Sequence, residues 1–423
     1  MAIVRFPYGR TALAVDLPDQ DLRAVMVSHL PERQETEEAL VQRALAAPIA
    51  SPPLCELARG KRRVVVLLSD HTRPVPSRVL LPPMLAEIRR GNPDAEITLL
   101  IATGCHRAPT EAELREKLGP ELYARERIAV HDCDDKDALV ALGTLPSGGI
   151  LEINRLAAEA DLLVAEGFIE PHFFAGFSGG RKSVLPGIAS RRTVVSNHCA
   201  AFIDSPRART GVLDGNPIHQ DMVWAARRAN LAFVVNVVID HDKRAVFAVA
   251  GDVERAHEAG CAFLSEHCRV RPEMADLVLT TNGGYPLDQN LYQAVKGMTA
   301  AEATVRPGGV ILMMASCSDG CGGEAFYRQI AGEADLNKTL AQFRVCRPEE
   351  TEPDQWQSQI LIRVLQRATV LLLSEAPDEL VRAMHMLPVH SPEEGLALAR
   401  EILRTPHPST VAIPDGVSVW VQA

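Results

Sequence analysis

The sequence predicts an α/β protein of two domains, each with a mainly parallel sheet, and a cleft between them. Three observations carry that expectation. Short apolar runs alternate with amphipathic segments along most of the chain. Its 423 residues are enough for two domains with cores of their own. And "HCRVRPEM" (267–274) separates a long helical stretch from a fresh strand–helix alternation, which places a boundary there.

Taken in order, "RVVVLL" (63–68) reads as a buried strand followed by a loop and a helix ending near Arg90. "EITLLIAT" (96–103) is the next strand. It precedes "PTEAELREKL", where Thr110 and Glu113 have the spacing of a capping box. "DLLVAEGF" (161–168), "LAFVVNVVI" (231–239), "ADLVLTT" (275–281), "GGVILMMAS" (308–316) and "TVLLLS" (369–374) continue the series. Helical patterns cover Asp288–Ala303 and Pro353–Arg367. The expected domains are 1–268 and 269–407, with 408–423 and its strand "VSVWVQA" offered as a return to the first domain. No internal repeat or low-complexity tract interrupts the pattern.

Composition narrows the function. A formal net charge of −10 speaks against a general nucleic-acid-binding surface. No segment approaches the roughly 18 uninterrupted apolar residues of a membrane helix. The opening "MAIVRFPYGR" has charge and proline where a signal peptide is greasy. The expectation is a cytoplasmic, soluble protein without membrane or nucleic-acid partners. Nine scattered cysteines form no CxxC pair, and the C-x3-C of Cys317 and Cys321 is a weak metal signal, so the thiols read as reduced and structural.

Polar clusters recur directly after the strands: "SDHTRPVP", "GCHRAPT", "IEPHFFAGFSGGRKS", "NGGYPLDQN" and "CSDGCGG". Parallel sheets bind ligands outside the carboxyl ends of their strands, so five such loops point to one site. Arg73 offers a planar fork for a carboxylate or phosphate, with Asp70 placed to orient it or to meet a ligand hydroxyl. His106 and His172 each follow a strand by a few residues, and a pair of imidazoles facing one substrate can move protons at neutral pH. His198 has no partner ligand at metal-binding spacing. Tyr292, Gln293 and Lys296 fall near one face of a helical segment and serve either as substrate contacts or as a solvated face. Trp356 fits either core packing or a pocket wall.

"HFFAGFSGGRKSVLPG" (172–187) imitates a phosphate-binding loop, with Gly176, four residues, then Lys182-Ser183. Arg181 stands where the pattern needs a glycine, and Pro186 and Gly187 leave no room for a long helix. A lysine used as a nucleophile or covalent tether fits better.

Together these stretches resemble the nickel-dependent lactate racemase family, from about residue 63 to beyond 320. "SNH" (196–198), "DGNPIHQD" (214–221) and Trp356 are further matches. The resemblance implies nickel held by a pyridinium-3,5-bisthiocarboxylic acid mononucleotide, a pincer cofactor supplied by dedicated synthesis enzymes. It implies that Lys182 tethers that cofactor and that His198 completes the nickel coordination. It places the segment Asp70, His71, Thr72 and Arg73 against the cofactor, and His106 and His172 as paired acid/bases. Arg73, Tyr292, Gln293, Lys296 and Trp356 would then contact substrate. The implied activity is racemisation or epimerisation of a 2-hydroxy acid, lactate by default, through hydride transfer and a 2-keto acid. Two other functions compete with it: a phosphotransferase using the loop at Lys182, and a non-catalytic carrier of the nickel cofactor.

Overall fold

A computed structural model describes residues 2–422 and contains two six-stranded sheets. The first runs in the order Ala245–Gly251, Leu231–Ile239, Leu162–Phe168, Arg63–Ser69, Glu96–Ala102, Arg127–Val130. Every pairing is parallel except the edge pair of Leu231–Ile239 with Ala245–Gly251. The second is parallel throughout, in the order Leu387–Val389, Ala368–Leu373, Val305–Met314, Ala275–Thr281, Thr410–Ile413, Leu22–Val25. The expected α/β class and its mainly parallel sheets are what the structure has.

Strand alternation explains why both sheets read as continuous apolar runs. Val65 and Leu67 face one hydrophobic layer, while Val64, Val66 and Leu68 face the opposite one. The second sheet divides the same way: Val278, Ile311 and Met313 point inward, and Leu277, Leu279, Val310 and Leu312 point outward. Helix Pro392–Leu403 covers part of that outer face with Leu396 and Ala399. A hairpin, Ala2–Tyr8 with Thr11–Leu17, covers the rest through Val4, Phe6, Val15 and Leu17.

Both chain ends depart from the expected boundaries. The hairpin and Leu22–Val25 belong to the second sheet's layer, although they precede 268 by far. Thr410–Ile413 also joins that sheet, between Ala275–Thr281 and Leu22–Val25, so the segment after 407 does not simply return to the first domain. Only the last turn of chain goes that way. Trp420–Val421 pairs with Arg269–Val270, and the Trp420 indole meets the Phe177 ring edge-on at 6.0 Å between centroids. The physical reason is pairing across the whole chain length, which local periodicity does not encode.

Among the described residues no helix is long and apolar enough to cross a membrane. All nine cysteines are free. The "CSDGCGG" loop is a brace: Leu291 and Tyr292 donate their backbone N–H groups to Gly320 and Cys321, fixing the first turn of helix Leu291–Glu302.

Candidate active site

The first site loop follows strand Arg63–Ser69. Asp70 is 2% exposed, and its Oδ1 accepts from both the Thr72 backbone and the Thr72 hydroxyl at 3.0 and 2.6 Å. Its Oδ2 lies 2.7 Å from Nδ1 of His106, on the loop after the next strand. Burial alone would raise the Asp70 carboxyl. The His106 hydrogen bond and charge, Arg73 and Thr72 outweigh it and hold the group well below the usual carboxylate range. Against an ionised Asp70, Nδ1 of His106 carries the hydrogen and Nε2 is left as the lone pair. Asp70 therefore orients His106 and not Arg73. Arg73 instead donates Nη1 to the Thr72 hydroxyl at 2.9 Å, and its Nε and Nη2 have no partner among the described residues.

His71 turns elsewhere. The charges nearest it are Asp70, Arg107, Glu113 and His106, which set it beside the 107–113 loop, and burial lowers its ring. Its Nδ1 is buried without a hydrogen-bond partner among the described residues.

The third loop answers why arginine replaces a glycine. Arg181 is 1% exposed and is a clamp. Its Nη2 donates to the Ala175 carbonyl at 2.7 Å, Nε donates to His219 Nδ1 at 3.0 Å, and Nη1 lies 2.8 Å from His257 Nε2. The backbone meanwhile makes turns suited to glycine, with φ of +79° at Gly176 and +80° at Gly179. A Cβ at Gly176 would sit 2.4 Å from the Val212 carbonyl oxygen. Lys182 lies in a four-residue 3-10 turn, Gly180–Ser183, so the helix that a phosphate-binding loop opens does not exist here.

Lys182 Nζ is 3.3 Å from Nε2 of His172, whose Nδ1 accepts from the Ala175 backbone N–H at 3.3 Å. Burial, then the charges of Arg181, Arg73 and Lys296, push Lys182 well below the ordinary lysine value. Burial and the same cations, with Lys182 first among them, push His172 well below the usual imidazole value. Both shifts favour the neutral forms, and an amine in its neutral form is a nucleophile. Phe174 stands between the two histidines of this segment, edge-on to His172 at 4.6 Å and to His198 at 5.1 Å between centroids.

His198 caps helix Arg191–Asn197. Its Nδ1 donates to the Val194 carbonyl at 3.0 Å, so Nε2 keeps its lone pair. Burial and the Lys182 charge pull its pKa down to about 3 against the effect of that hydrogen bond. A neutral imidazole with one fixed N–H is what a metal ligand requires.

The second domain closes the site. Trp356 lies edge-on over His198 at 5.0 Å between centroids, and its Nε1 donates to the Tyr292 hydroxyl at 3.0 Å. Gln359 donates to the Ala200 carbonyl and to Asp204, and Arg344 also reaches Asp204, so the domains are tied beside the site. Lys296 is pulled down to about 7, by burial first and then by Arg73, with Glu170 and Asp70 opposing. Gln293 has a buried Oε1 with no hydrogen-bond partner among the described residues. Among the described residues, the one cluster at metal-ligand spacing is Asp132, Cys133 and Asp134, away from His198.

Residues 8–211 match the lactate racemase N-terminal domain, and 270–421 match the lactate racemase C-terminal domain. The chain belongs to the lactate racemase family. It is 51% identical to a lactate racemase of Thermoanaerobacterium thermosaccharolyticum and 47% identical to one of Lactiplantibacillus plantarum, each covered over its full length and this chain's. Its structure superposes on the lactate racemase apoprotein of T. thermosaccharolyticum with a TM-score of 0.96, at 50% identity and full coverage of both chains. A Thermotoga maritima protein shares the fold at 19% identity, with a TM-score of 0.67 over 94% of this chain and 100% of its own.

For this family member, the structure brings Asp70, Thr72, Arg73, His106, His172, Lys182, His198, Tyr292, Lys296 and Trp356 together, with His71 beside Asp70 and His106 but bonded to none of them. Glu170 escaped the sequence reading although it stands in "IEPHFF". A carboxylate in a loop after a strand looks like any solvated loop residue, and only the tertiary position of Lys296 and Arg73 singles it out. Glu166 escaped because strands conceal polar insertions. It is fully buried, accepts from Ser77 Oγ at 2.7 Å and faces Lys117 at 4.0 Å.

Proposed function

We propose that the protein interconverts the enantiomers of a 2-hydroxy acid, with lactate as the first substrate, using nickel in a pincer pyridinium mononucleotide. The observation that carries this reading is the 3.3 Å contact of the Lys182 amine with His172, alongside the Nε2 of His198 that its Nδ1 hydrogen bond leaves free. Such a donor set suits a cofactor that brings most of the metal's ligands itself and needs one imidazole and one amine from the protein. The names of the full-length relatives support racemisation of lactate.

In this reading Lys182 is the tether and His198 the protein's nickel ligand. When bound, the cofactor supplies a hydride acceptor beside the substrate's C2. The remaining work is done by side chains. Arg73 and Lys296 draw the substrate carboxylate into a cationic cleft, with Tyr292, Gln293 and Trp356 around it. His106, oriented by Asp70, presents Nε2 as a base to the hydroxyl on one side. His172 serves the opposite side. Were Lys182 to hold the cofactor through its amine, the nitrogen would no longer offer His172 a lone pair, and the ring would be free to exchange a proton with substrate. Two bases are what inversion at one carbon needs, since the proton removed on one side is replaced from the other. Trp356 and the domain ties exclude water while the planar keto acid is present.

Protein made with the cofactor-synthesis enzymes should convert enantiopure lactate to the racemate, followed by chiral chromatography. A protein loaded with nickel cofactor that leaves every enantiopure 2-hydroxy acid in a broad panel unchanged would be a carrier instead.

Lys296 gives the reaction a pH dependence. With its pKa near 7, it is charged below that pH and neutral above it. Carboxylate binding by Lys296 should therefore weaken as pH rises through 7, and KM should climb by up to about tenfold per pH unit. In Lys296→Arg the guanidinium stays charged and the climb should disappear. A KM that rises equally in both proteins would assign the effect to another group.

A further inference from the structure

A racemase with two bases has a problem that its chemical step does not solve. Each conversion in one direction leaves one histidine with an extra proton and the other short of one. Net turnover requires both to exchange with solvent. His106 can do so directly, since its side chain is 41% exposed. His172 is 9% exposed and walled by Phe173 and Phe174.

Behind His172 lies a cavity of about 20 Å³, lined by Glu170, His172, Thr210, Lys296 and Thr299. That is room for about one water. Glu170 and His172 are two residues apart, and both line this one cavity. The Glu170 carboxylate makes no hydrogen bond or ion pair with the described residues, although Lys296, Arg73, Lys243 and Asp415 are the charges that act on it.

We propose that Glu170 is the proton carrier that resets His172, through one water in this cavity. The inference rests on the racemase reading of the site. The His172 imidazolium gives its proton to the water while the water gives one to the Glu170 carboxylate. The resulting carboxylic acid then loses its proton to bulk solvent, and the same steps reversed reload the ring. No other reactant is consumed. Burial supports the assignment: it raises the Glu170 carboxyl above the ordinary carboxylate range, against the lowering by the lysines and Arg73, and so nearer to the acidity of an imidazole.

The test separates the reset from the chemistry. Glu170→Gln should lower the initial rate of net conversion from a single enantiomer by on the order of 10²-fold. At racemic equilibrium, forward and reverse events cancel each other's proton debts, so exchange of a carbon label between the enantiomers should keep its wild-type rate. Glu170→Ala should regain net turnover when formate or imidazole is added as a mobile buffer. In the cofactor-free protein, the His172 ring N–H should exchange with water more slowly in Glu170→Gln, read by imidazole NMR. Equal loss of net conversion and of equilibrium exchange would make Glu170 part of the chemical step or of the fold, and no loss in either would remove it from the reaction. Wild-type protein that exchanges no label at all would overturn the racemase reading instead.

Discussion

His106→Ala and His172→Ala are each expected to lower racemisation by about 10²–10⁴-fold in both directions while leaving the nickel content unchanged. The size follows from removing the group that carries the hydroxyl proton. The equality of the two directions follows from the need for both bases in either sense of inversion. Neither side chain is the proposed metal ligand, and neither is a clamp like Arg181. His106 is tied to Asp70 and touches Thr72, and the loop around His172 keeps the Arg181 clamp on the Ala175 carbonyl, so alanine should not unseat the loops. The measurement is the initial rate from each pure enantiomer, beside metal analysis of the same samples. Near-wild-type conversion in either direction by either variant would end the two-base scheme.

Lys182→Ala and His198→Ala should both abolish activity, but in ways that can be told apart. Without the amine there is nothing to acylate, so intact mass should show Lys182→Ala without the covalent adduct expected of the cofactor-loaded wild type. His198→Ala retains that amine. It should keep the adduct in the mass spectrum while nickel falls to background after dialysis, because the imidazole proposed to complete the coordination is gone. His198→Ala also removes a ring packed between Phe174 and Trp356, so the adduct in the mass spectrum doubles as a check that the site still forms. An adduct on Lys182→Ala, or full nickel on His198→Ala, would assign the grip to other residues.

Much of this arrangement was legible because it is local. The runs at 63–68, 96–103 and 231–239 are apolar on both faces, as strands covered on both sides must be, and the capping box at Thr110 and Glu113 forms as read. The loops after Glu96–Ala102 and Leu162–Phe168 supply His106 and the His172–Lys182 pair. What stayed hidden was non-local. The hairpin Ala2–Leu17 alternates polar and apolar residues, yet its partner is the back of a sheet that begins at Ala275. Asp70 pairs with a histidine 36 residues away, and no spacing rule points from one to the other. Arg181 resembled a spoiled glycine because its function, a buried fork holding its own loop from behind, exists only once His219 and His257 are folded around it.

The strand Leu22–Val25 leaves the ribosome long before the strand it pairs with, Thr410–Ile413. The first sheet has no such wait, since all six of its strands lie between Arg63 and Gly251. Synthesis from the N-terminus therefore completes the His106–His172–His198 half of the cleft while the other sheet still lacks its edge. Until Thr410–Ile413 arrives, the hairpin residues Val4, Phe6, Val15 and Leu17 have no finished surface to cover. The hairpin and Leu22–Val25 are thus a late latch on the layer that carries Lys296, Tyr292 and Trp356, set only once Thr410–Ile413 is delivered.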